Sequence, residues 1–442
     1  MRAALRRERE TEGQMTKKIL FLGGTGAMYD VVEIAKRKGI YTIVVDYYEN
    51  SPAKRIADKS YLESTTDVEK VLKIAEAEQI DGVFTGFSDA NLLPARYVAN
   101  RLKLPFYATE EQIEKTTSKL LFKEVCRAYK IPVVPQYPLT AAFREEDLKN
   151  VRYPVIVKPA DSWASKGVSI CGSEEELRAA VPHALRFSEK KEIIVERYMA
   201  EYADSCMYFN IQEGKLSLSC MCDRDMKPVR KGKAMQPNAL FYPSAYLDLY
   251  YEQLQDKIQN MVSGLGMRDG TMFMQCFIVD GVIMPFEMGY RLCGASEYIL
   301  CDAENGINSC GMLLDYALTG RFDGADAKEK NRPYFRHRDG ILLILLRAGQ
   351  IKKIEGLETI KADPRILKVL QFYYEGDRLG EETAGTLNQT FARIFIQAQD
   401  NDEMLEMIKF IQENLHVYDD SGRSMVIDGY DCAAGHLLKD GG

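Results

Sequence analysis

A lysine at the end of a predicted strand, followed by a loop of small polar residues, could hold a polyphosphate. An apolar, β-branched run ends at Lys158, and the loop 161–167 that follows contains Ser165, Lys166 and Gly167. Backbone N–H groups and a lysine between two strands would close over phosphates, because both present positive charge to the anion. An ordinary hairpin with a surface lysine is the alternative that these residues alone leave open.

A second candidate is a glycine-rich turn near the start of the chain. Residues 18–22 predict a short apolar strand, and the sequence GGTG at 23–26 leads from it into a predicted helix. Asp46 ends the next strand, where a dinucleotide-binding fold would hold a ribose. Tyr29 stands at the third glycine position of the G-x-G-x-x-G fingerprint, so the pattern is broken. A nicotinamide-dependent oxidoreductase is therefore kept as the weaker alternative.

The hydrophobic pattern divides the chain into an N-terminal α/β part and later parts that are richer in β-structure. Strands and helices alternate over the first quarter of the chain, which is typical of an open parallel sheet. Further along, a predicted hairpin covers 272–287. We expect a long polar loop over 223–243, one helix over 247–265 and a mostly β-stranded remainder after residue 333.

The composition is that of a globular protein and argues against several classes of function. The 442 residues are 46% hydrophobic and 28% charged, which suffices for a large core and more than one domain. The net charge of −7 argues against general nucleic-acid binding, and no apolar run has the length of a membrane span. The ten cysteines and four histidines lack paired zinc spacing, so we expect reduced thiols and a cytoplasmic location.

Four motifs in this order resemble the ATP-grasp superfamily of carboxylate–amine ligases. They are Lys119 before an IPVV segment, Lys158 in V-K-P with the loop 162–167, the hinge E-R-Y-M at 196–199, and a strand pair that ends in Glu287 and Arg291. Each motif is weak alone, but four in the family's order are specific together. The resemblance covers residues 17–320 and extends to carbamoyl phosphate synthases, while the β-rich tail is similar to the C-terminal domain of L-amino-acid ligases.

The resemblance implies which residues bind ATP and which act on it. The residues implied in nucleotide binding are Lys119, Lys158, Ser165, Gly167, Glu196, Tyr198, Met199 and Asp204. Glu196 and the hinge backbone would hold the adenine edge, and Asp204 would hold the ribose. Lys166 would close over the β- and γ-phosphates. Arg291 would neutralise the transferred phosphoryl group or hold a substrate carboxylate, so both it and Lys166 are predicted to be catalytic.

Two positions depart from the metal-binding pattern that the resemblance implies. The family has an acid and later E-x-N-x-R, but this chain has Gln275 and then E-M-G-Y-R from Glu287, so Gly289 replaces the asparagine. Glu287 is therefore the implied principal ligand of Mg²⁺, with Gln275 as a neutral ligand. Either one ion suffices, or another acid such as Glu297 or Glu304 contributes, or the chemistry is impaired.

The predicted organisation follows from the motifs and the pattern together. We expect a disordered extension at 1–14 that is not a signal peptide, and a pre-ATP-grasp α/β domain at 15–115. An ATP-grasp domain at 116–320 and a β-rich C-terminal domain at 321–442 complete the chain.

The predicted function is that of an ADP-forming ligase with ATP and Mg²⁺ as cofactors. A substrate carboxylate would attack the γ-phosphate, and an amine would displace phosphate from the acylphosphate to form an amide or peptide bond. The partners are small-molecule carboxylates and amines, for which the resemblance allows amino acids; a homodimer stays open, and neither nucleic acid nor membrane is expected. The basic segment 223–233 suggests an acidic or phosphate-bearing group on a substrate. An ATP-binding protein with an impaired metal site is the first alternative.

Overall fold

A computed structural model describes residues 16–160, 167–199, 202–227, 235–322, 327–427 and 429–433. The strands are β1 Lys18–Leu22, β2 Tyr41–Asp46, β3 Lys59–Leu62, β4 Gly82–Phe84, β5 Gln136–Tyr137, β6 Val155–Pro159, β7 Ser169–Cys171, β8 Ile193–Arg197, β9 Ala203–Gln212, β10 Lys215–Lys227, β11 Gln236–Tyr242, β12 Gly270–Val279, β13 Val282–Gly289, β14 Arg338–Leu345, β15 Gly349–Gln350, β16 Lys353–Glu355, β17 Ile366–Gln371, β18 Arg378–Leu379, β19 Thr390–Ala398 and β20 His416–Tyr418. The helices are α1 Gly26–Arg37, α2 Val68–Glu78, α3 Leu92–Leu102, α4 Glu110–Thr117, α5 Lys119–Ala128, α6 Glu145–Leu148, α7 Glu174–Arg186, α8 Leu247–Gln253, α9 Gln255–Gly264, α10 Tyr298–Asn305, α11 Ser309–Thr319, α12 Ala327–Lys330, α13 Leu357–Lys361 and α14 Asn401–Asn414. Within these ranges no helix is both long enough and apolar enough to cross a membrane.

The chain divides into two compact units. Unit 1 comprises Met1–Ile113, Arg291–Ser296 and Asn308–Asp326, and unit 2 comprises Glu114–Tyr290, Glu297–Ile307 and Ala327–Gly442. The boundaries of these two units differ from the predicted domain boundaries. The division into three domains therefore stays a prediction.

Unit 1 is built on a parallel sheet with the strand order β3-β2-β1-β4. Residues Leu20 and Leu22 of β1 and Ile43 and Val45 of β2 share one apolar core with helices α2 and α3. Helix α1 begins after Thr25, whose hydroxyl accepts a hydrogen bond from an N–H of the first turn, as N-caps commonly do. Helix α11 contacts α1 and β4. The expected open parallel sheet is therefore confirmed.

The larger sheet of unit 2 has eight antiparallel strands in the order β13-β12-β9-β10-β11-β14-β19-β17. Helix α14 packs on β14 and β19 and buries Met404, Met407 and Ile408 in the same core as Ile344 and Ile394. One continuous sheet thus takes strands from both sides of residue 321, where we predicted a domain limit.

The smaller sheet of unit 2 is antiparallel, in the order β5-β8-β6-β7. Val155 and Val157 of β6 and Val195 of β8 share an apolar cluster with Leu177 of helix α7. Side chains alternate across a strand, so Lys158 projects from the face opposite this core. The β-branched residues therefore fix both the strand and the direction in which its terminal lysine points.

Two stretches differ from the sequence predictions. The expected loop over 223–243 is wrong, because β10 continues to Lys227 and pairs with β11 from Asp223↔Phe241 onwards. Charged residues are depleted in strands, and only the contacts across the sheet favour a strand here. The expected single helix over 247–265 is also wrong, since the chain forms α8 and α9 with a break at Leu254.

Candidate active site

Lys158 and Glu196 meet on the face of the smaller sheet opposite its apolar cluster. Ile156 of β6 stands directly opposite Glu196 of β8, so Lys158, two residues further on, projects from the same face. Lys158 Nζ lies 2.7 Å from Glu196 Oε2, and Glu196 is only 2% exposed. The predicted phosphate-binding lysine and the predicted adenine-edge acid are therefore direct neighbours, joined by a buried, charge-assisted contact.

Lys123 of helix α5 is a third member of this cluster. No sequence motif predicted Lys123 as a site residue. Its ammonium group contacts the other carboxylate oxygen of Glu196, Oε1, and donates a hydrogen bond to the Val134 carbonyl at 3.3 Å. Lys123 is 1% exposed. Burial opposes the charged carboxylate, but Lys158 and Lys123 outweigh it, so the pKa of Glu196 is lowered. Two lysines thus share one buried carboxylate.

Lys119, the first lysine of the predicted set, lies one helical turn before Lys123. Residues four apart share one side of a helix, so Lys119 and Lys123 project from the same side of α5. Ser118 caps the helix with its hydroxyl, which accepts the N–H of Leu121 at 3.4 Å. The structure leaves Lys119 partly buried.

The predicted phosphate lid is described only at its C-terminal end. Ser165 and Lys166 lie outside the described residues. Gly167 has a φ of +72°, and a Cβ atom there would stand 2.8 Å from Pro159 Cγ. A side chain at this position would be both strained and crowded, so the end of the loop requires glycine.

The predicted adenine hinge packs against the hairpin β12–β13. Met199 is 3% exposed and shares an apolar cluster with Val134 and with Val279 of β12. Phe277 and Phe286 stack beside them, with ring centroids 4.5 Å apart. The Tyr198 N–H donates to the Pro154 carbonyl at 3.1 Å, and burial raises the pKa of the Tyr198 hydroxyl. The hinge is thus anchored to the hairpin by apolar packing.

Asp204, predicted to hold the ribose, faces Arg224 on the neighbouring strand. The two residues are direct cross-strand partners on β9 and β10, and Arg224 Nε lies 3.1 Å from Asp204 Oδ1. The pKa of the Asp204 carboxyl is raised to about 6, chiefly by burial. The positive charge of Arg224 lowers this pKa, and the negative charge of Glu287 raises it. Arg224 was not predicted as a site residue, because its strand was taken for a loop.

Gln275 and Glu287 stand directly opposite each other on β12 and β13. Both are partly buried, and Glu287 is close enough to Asp204 to act on its charge. Within the described ranges, no group of three or more His, Cys, Asp and Glu side chains could hold a metal ion. The chain thus offers one carboxylate and one amide oxygen, which fits a Mg²⁺ ion that takes its remaining ligands from phosphates and water.

The two further acids considered for the metal have different surroundings. Both Glu297 and Glu304 are buried. Glu304 Oε1 contacts His337 Nδ1 at 2.5 Å and accepts Gln397 Nε2 at 3.0 Å, while Oε2 accepts the Arg336 N–H at 2.8 Å. With both oxygens bound in this way, Glu304 does not fit the role of a metal ligand.

Arg291, predicted to be catalytic, forms a two-pronged ion pair with Asp89. Arg291 Nε donates to Asp89 Oδ1 at 2.5 Å, and Nη2 donates to Oδ2 at 2.7 Å. Nη1 donates to the Leu292 carbonyl at 2.8 Å, and Arg291 is 6% exposed. Both residues belong to unit 1, whereas Glu287 belongs to unit 2. A carboxylate already occupies the planar fork that would bind a substrate carboxylate or phosphoryl group.

Asp46, the acid considered for a dinucleotide ribose, supports the glycine turn instead. Its Oδ2 accepts the N–H of Gly24 and its Oδ1 accepts the N–H of Tyr48, each at 2.7 Å. The side chain is 5% exposed. Since both carboxylate oxygens bind the backbone, a ribose hydroxyl would have to displace a turn contact, which disfavours the oxidoreductase alternative.

A family model and a curated relative each match part of this chain. A family described as "D-ala D-ala ligase C-terminus" matches residues 125–209, which contain Lys158 and the hinge 196–199. A formate-dependent phosphoribosylglycinamide formyltransferase from Methanocaldococcus jannaschii is 28% identical over 165 residues. The match covers 37% of this chain and 42% of that protein, so the chain spans less than half the length of this curated relative.

Two solved structures share the fold over nearly the whole chain. An L-amino acid ligase from Bacillus licheniformis superposes with a TM-score of 0.72 at 18% identity, covering 92% of this chain and 99% of that one. The biotin carboxylase domain of a 2-oxoglutarate carboxylase from Hydrogenobacter thermophilus, in complex with MgADP, ADP and bicarbonate, gives 0.75 at 17% identity, covering 93% and 92%. At such identities the likeness establishes the fold alone, and it confirms the predicted fold class.

Proposed function

We propose that this chain, which belongs to the ATP-grasp superfamily, is an ATP-dependent carboxylate–amine ligase that releases ADP and phosphate. The substrates are a small carboxylate and a small amine, and the product is an amide or a peptide. Lys158, the hinge 196–199 and the pair Gln275–Glu287 form the proposed ATP site.

The observation that carries the proposal is the convergence of three predicted motifs within unit 2. Met199 of the hinge packs against the hairpin that bears Gln275 and Glu287, and helix α5, which bears Lys119, contacts β13 of that hairpin. Lys158 reaches the carboxylate of Glu196 at the end of the hinge strand. The hinge, the lysine at the end of β6 and the hairpin with Gln275 and Glu287 thus belong to elements of unit 2 that contact one another, which supports a shared role in binding ATP.

The proposed reaction needs positioning and charge neutralisation rather than a covalent enzyme intermediate. An oxygen of the substrate carboxylate attacks the γ-phosphorus, the bond to the β–γ bridging oxygen breaks, and ADP leaves. The amine nitrogen then attacks the acyl carbon, and phosphate departs while the nitrogen loses a proton. Lys119, Lys158 and Lys166 would hold the phosphate charge, and Arg291 would stabilise the transferred group after giving up Asp89.

Glu287 and Gln275 would hold Mg²⁺ together with the phosphates of ATP, and the ion would supply charge neutralisation there. The hinge backbone around Tyr198 and Met199 would hold the adenine edge. Asp204 would hold the ribose, with Arg224 keeping its carboxylate charged near neutral pH.

One further candidate is an ATP-binding protein with an impaired metal site. Gln275 in place of an acid and Gly289 in place of an amide favour it, since the first change removes a negative charge and the second removes a metal-binding oxygen. Such a protein would bind ATP but release no ADP with any carboxylate and amine.

The test is ADP release by the full chain with ATP, Mg²⁺ and mixtures of amino acids and other small carboxylates and amines. A ligase releases ADP only when both substrate classes are present, and loses this activity on Lys158→Ala. Release of no ADP by a chain that binds ATP would favour the impaired site, and failure to bind ATP would contradict both candidates.

A further inference from the structure

The cluster of Lys123, Glu196 and Lys158 contains one more cation than its carboxylate needs. Glu196 uses one oxygen for each lysine, and its side chain is 3% exposed. The side chains of the two lysines differ in access, at 1% exposed for Lys123 and 12% for Lys158. Only one of the two ammonium groups can therefore reach a ligand without rearrangement of the protein.

We propose that Lys123 is a positioning residue that stays on Glu196 while Lys158 turns from Glu196 to the phosphates of ATP. The inference rests on the proposed function, because it assumes that Lys158 contacts the nucleotide. It assigns Lys123 no contact with ATP.

The cost of a bare buried carboxylate is the first reason. If Lys158 left Glu196 without a replacement, a carboxylate with almost no access to water would lose its counter-ion, which is strongly unfavourable. Lys123 removes this cost because it already binds the other oxygen. Lys158 is then free to exchange one charge-assisted partner for another of similar strength.

The fixation of Lys123 is the second reason. It donates to the Val134 carbonyl at 3.3 Å, and the Val134 side chain packs with Met199 in the hinge cluster. Helix α5 also buries Phe122, Val125 and Cys126 beside it. A lysine held by a carboxylate, a carbonyl and an apolar helix face cannot follow a ligand, so it is the member of the pair that remains.

The charge balance is the third reason. Two lysines and one carboxylate carry a net charge of +1, so the cluster attracts an anion even with Glu196 ionised. Without Lys123 the remaining pair would be neutral, and Lys158 would have to abandon its only partner in order to bind phosphate.

The test compares ATP affinity by calorimetry in the wild-type chain and four variants. Lys123→Met removes the charge and keeps the length of the side chain. Lys123→Met with Glu196→Gln removes the carboxylate together with its fixed partner, and Glu196→Gln alone is the reference for this double variant. Arg127→Met is the matched control, because it removes a positive charge from an exposed position one turn along the same helix.

We expect Lys123→Met to weaken ATP binding by about 10-fold or more, since Lys158 would be retained by Glu196. In the Glu196→Gln background, Lys123→Met should change ATP affinity by less than about threefold, because without the carboxylate Lys158 is free in both variants. Arg127→Met should bind as the wild type does. A merely structural role of Lys123 predicts the same loss of affinity in both backgrounds, so a double variant that binds ATP about 10-fold more weakly than Glu196→Gln would overturn the inference.

The inference and the proposed function can fail separately. A wild-type chain that does not bind ATP contradicts the proposed function. A wild-type chain that binds ATP, with Lys158→Ala weak and Lys123→Met unchanged, overturns the inference alone. If Lys123→Met does not fold, the double variant decides: the ATP affinity of Glu196→Gln supports the inference, and a clearly lower affinity than that of Glu196→Gln overturns it.

Discussion

The ring of Phe273 lies over the backbone of Gly289, its cross-strand partner in the hairpin. A Cβ atom at position 289 would stand 2.8 Å from Phe273 Cζ and closer still to the neighbouring ring carbon. Phe273 is 2% exposed, so the ring has little room to move away. The glycine that replaces the family's asparagine is therefore matched to an aromatic residue that fills the asparagine's space.

This relationship predicts that Gly289→Asn destabilises the chain instead of restoring a metal site. Overpacking beside a buried ring should lower the free energy of unfolding by about 1–3 kcal/mol, measured by urea denaturation. Gly281→Asn is the matched control, because a Cβ there meets nothing within 4 Å and asparagine tolerates its φ of +76°. Equal stability of Gly289→Asn and the control would contradict the steric reading, whereas relief of the effect by Phe273→Ala would support it.

The lysine at the end of β6 gives the second prediction. Lys158→Ala should weaken ATP binding at least about 10-fold, because a charge-assisted phosphate contact contributes roughly 1.5–3 kcal/mol. Glu196 keeps Lys123 as its partner, so the variant should fold. Lys149→Ala, an exposed lysine on the same unit, should leave the affinity unchanged. Calorimetric affinities that agree for both variants would remove Lys158 from the site.

The metal-binding pair gives the third prediction. With one carboxylate, the free chain should bind Mg²⁺ weakly, and bound ATP should raise the affinity through the charge of its phosphates. Gln275→Glu should strengthen Mg²⁺ binding without nucleotide, and Glu287→Ala should weaken it with nucleotide. Asp280→Asn, at the exposed turn of the same hairpin, is the control. Mg²⁺ affinities that change with neither Gln275→Glu nor Glu287→Ala would place the metal elsewhere.

Parts of this site are local in sequence and parts are not. Lys119, Lys158 and the hinge at 196–199 could be predicted because each lies in a short motif at an element end. Lys123 has its partner Glu196 73 residues away, and Phe273 meets Gly289 only across a hairpin, so neither contact leaves a local pattern. The lone signal for Lys123 was a lysine on an otherwise apolar helix face.

The pairing of Arg291 with Asp89 gives the fourth prediction. The arginine should act on the transferred group more than on bound ATP, so Arg291→Met should lower kcat by about 100-fold or more while ATP affinity changes by less than about threefold. Arg291→Lys should recover little, because lysine lacks the planar fork. Arg101→Met, an exposed arginine of the same unit, is the control. Equal losses of kcat and ATP affinity would assign Arg291 to nucleotide binding instead.

The buried carboxyl of Asp339 gives the fifth prediction. Burial and the nearby Glu304 raise its pKa from 3.8 to about 8. Between these values the folded chain binds a proton that the unfolded chain lacks, so the free energy of unfolding should fall as pH rises through this window. Asp339→Asn keeps the neutral shape and should flatten that dependence, making the variant more stable than wild type above about pH 8.

Urea denaturation at about pH 5 and about pH 8.5 measures this effect. The control is Asp420→Asn, because Asp420 is exposed and the substitution should leave the pH dependence of unfolding unchanged. A variant at Asp339 that loses stability equally at both pH values would show that the carboxyl is ionised in the folded chain.

The transfer of ¹⁸O from a labelled carboxylate to phosphate tests the acylphosphate mechanism most directly. The measurement uses the wild-type chain, ATP, Mg²⁺, an amine and the carboxylate substrate that supports ADP release, with mass spectrometry of the phosphate. An acylphosphate requires one carboxylate oxygen to leave with the phosphate, so we expect one ¹⁸O atom per phosphate formed. Phosphate without ¹⁸O, produced together with the amide, would contradict it.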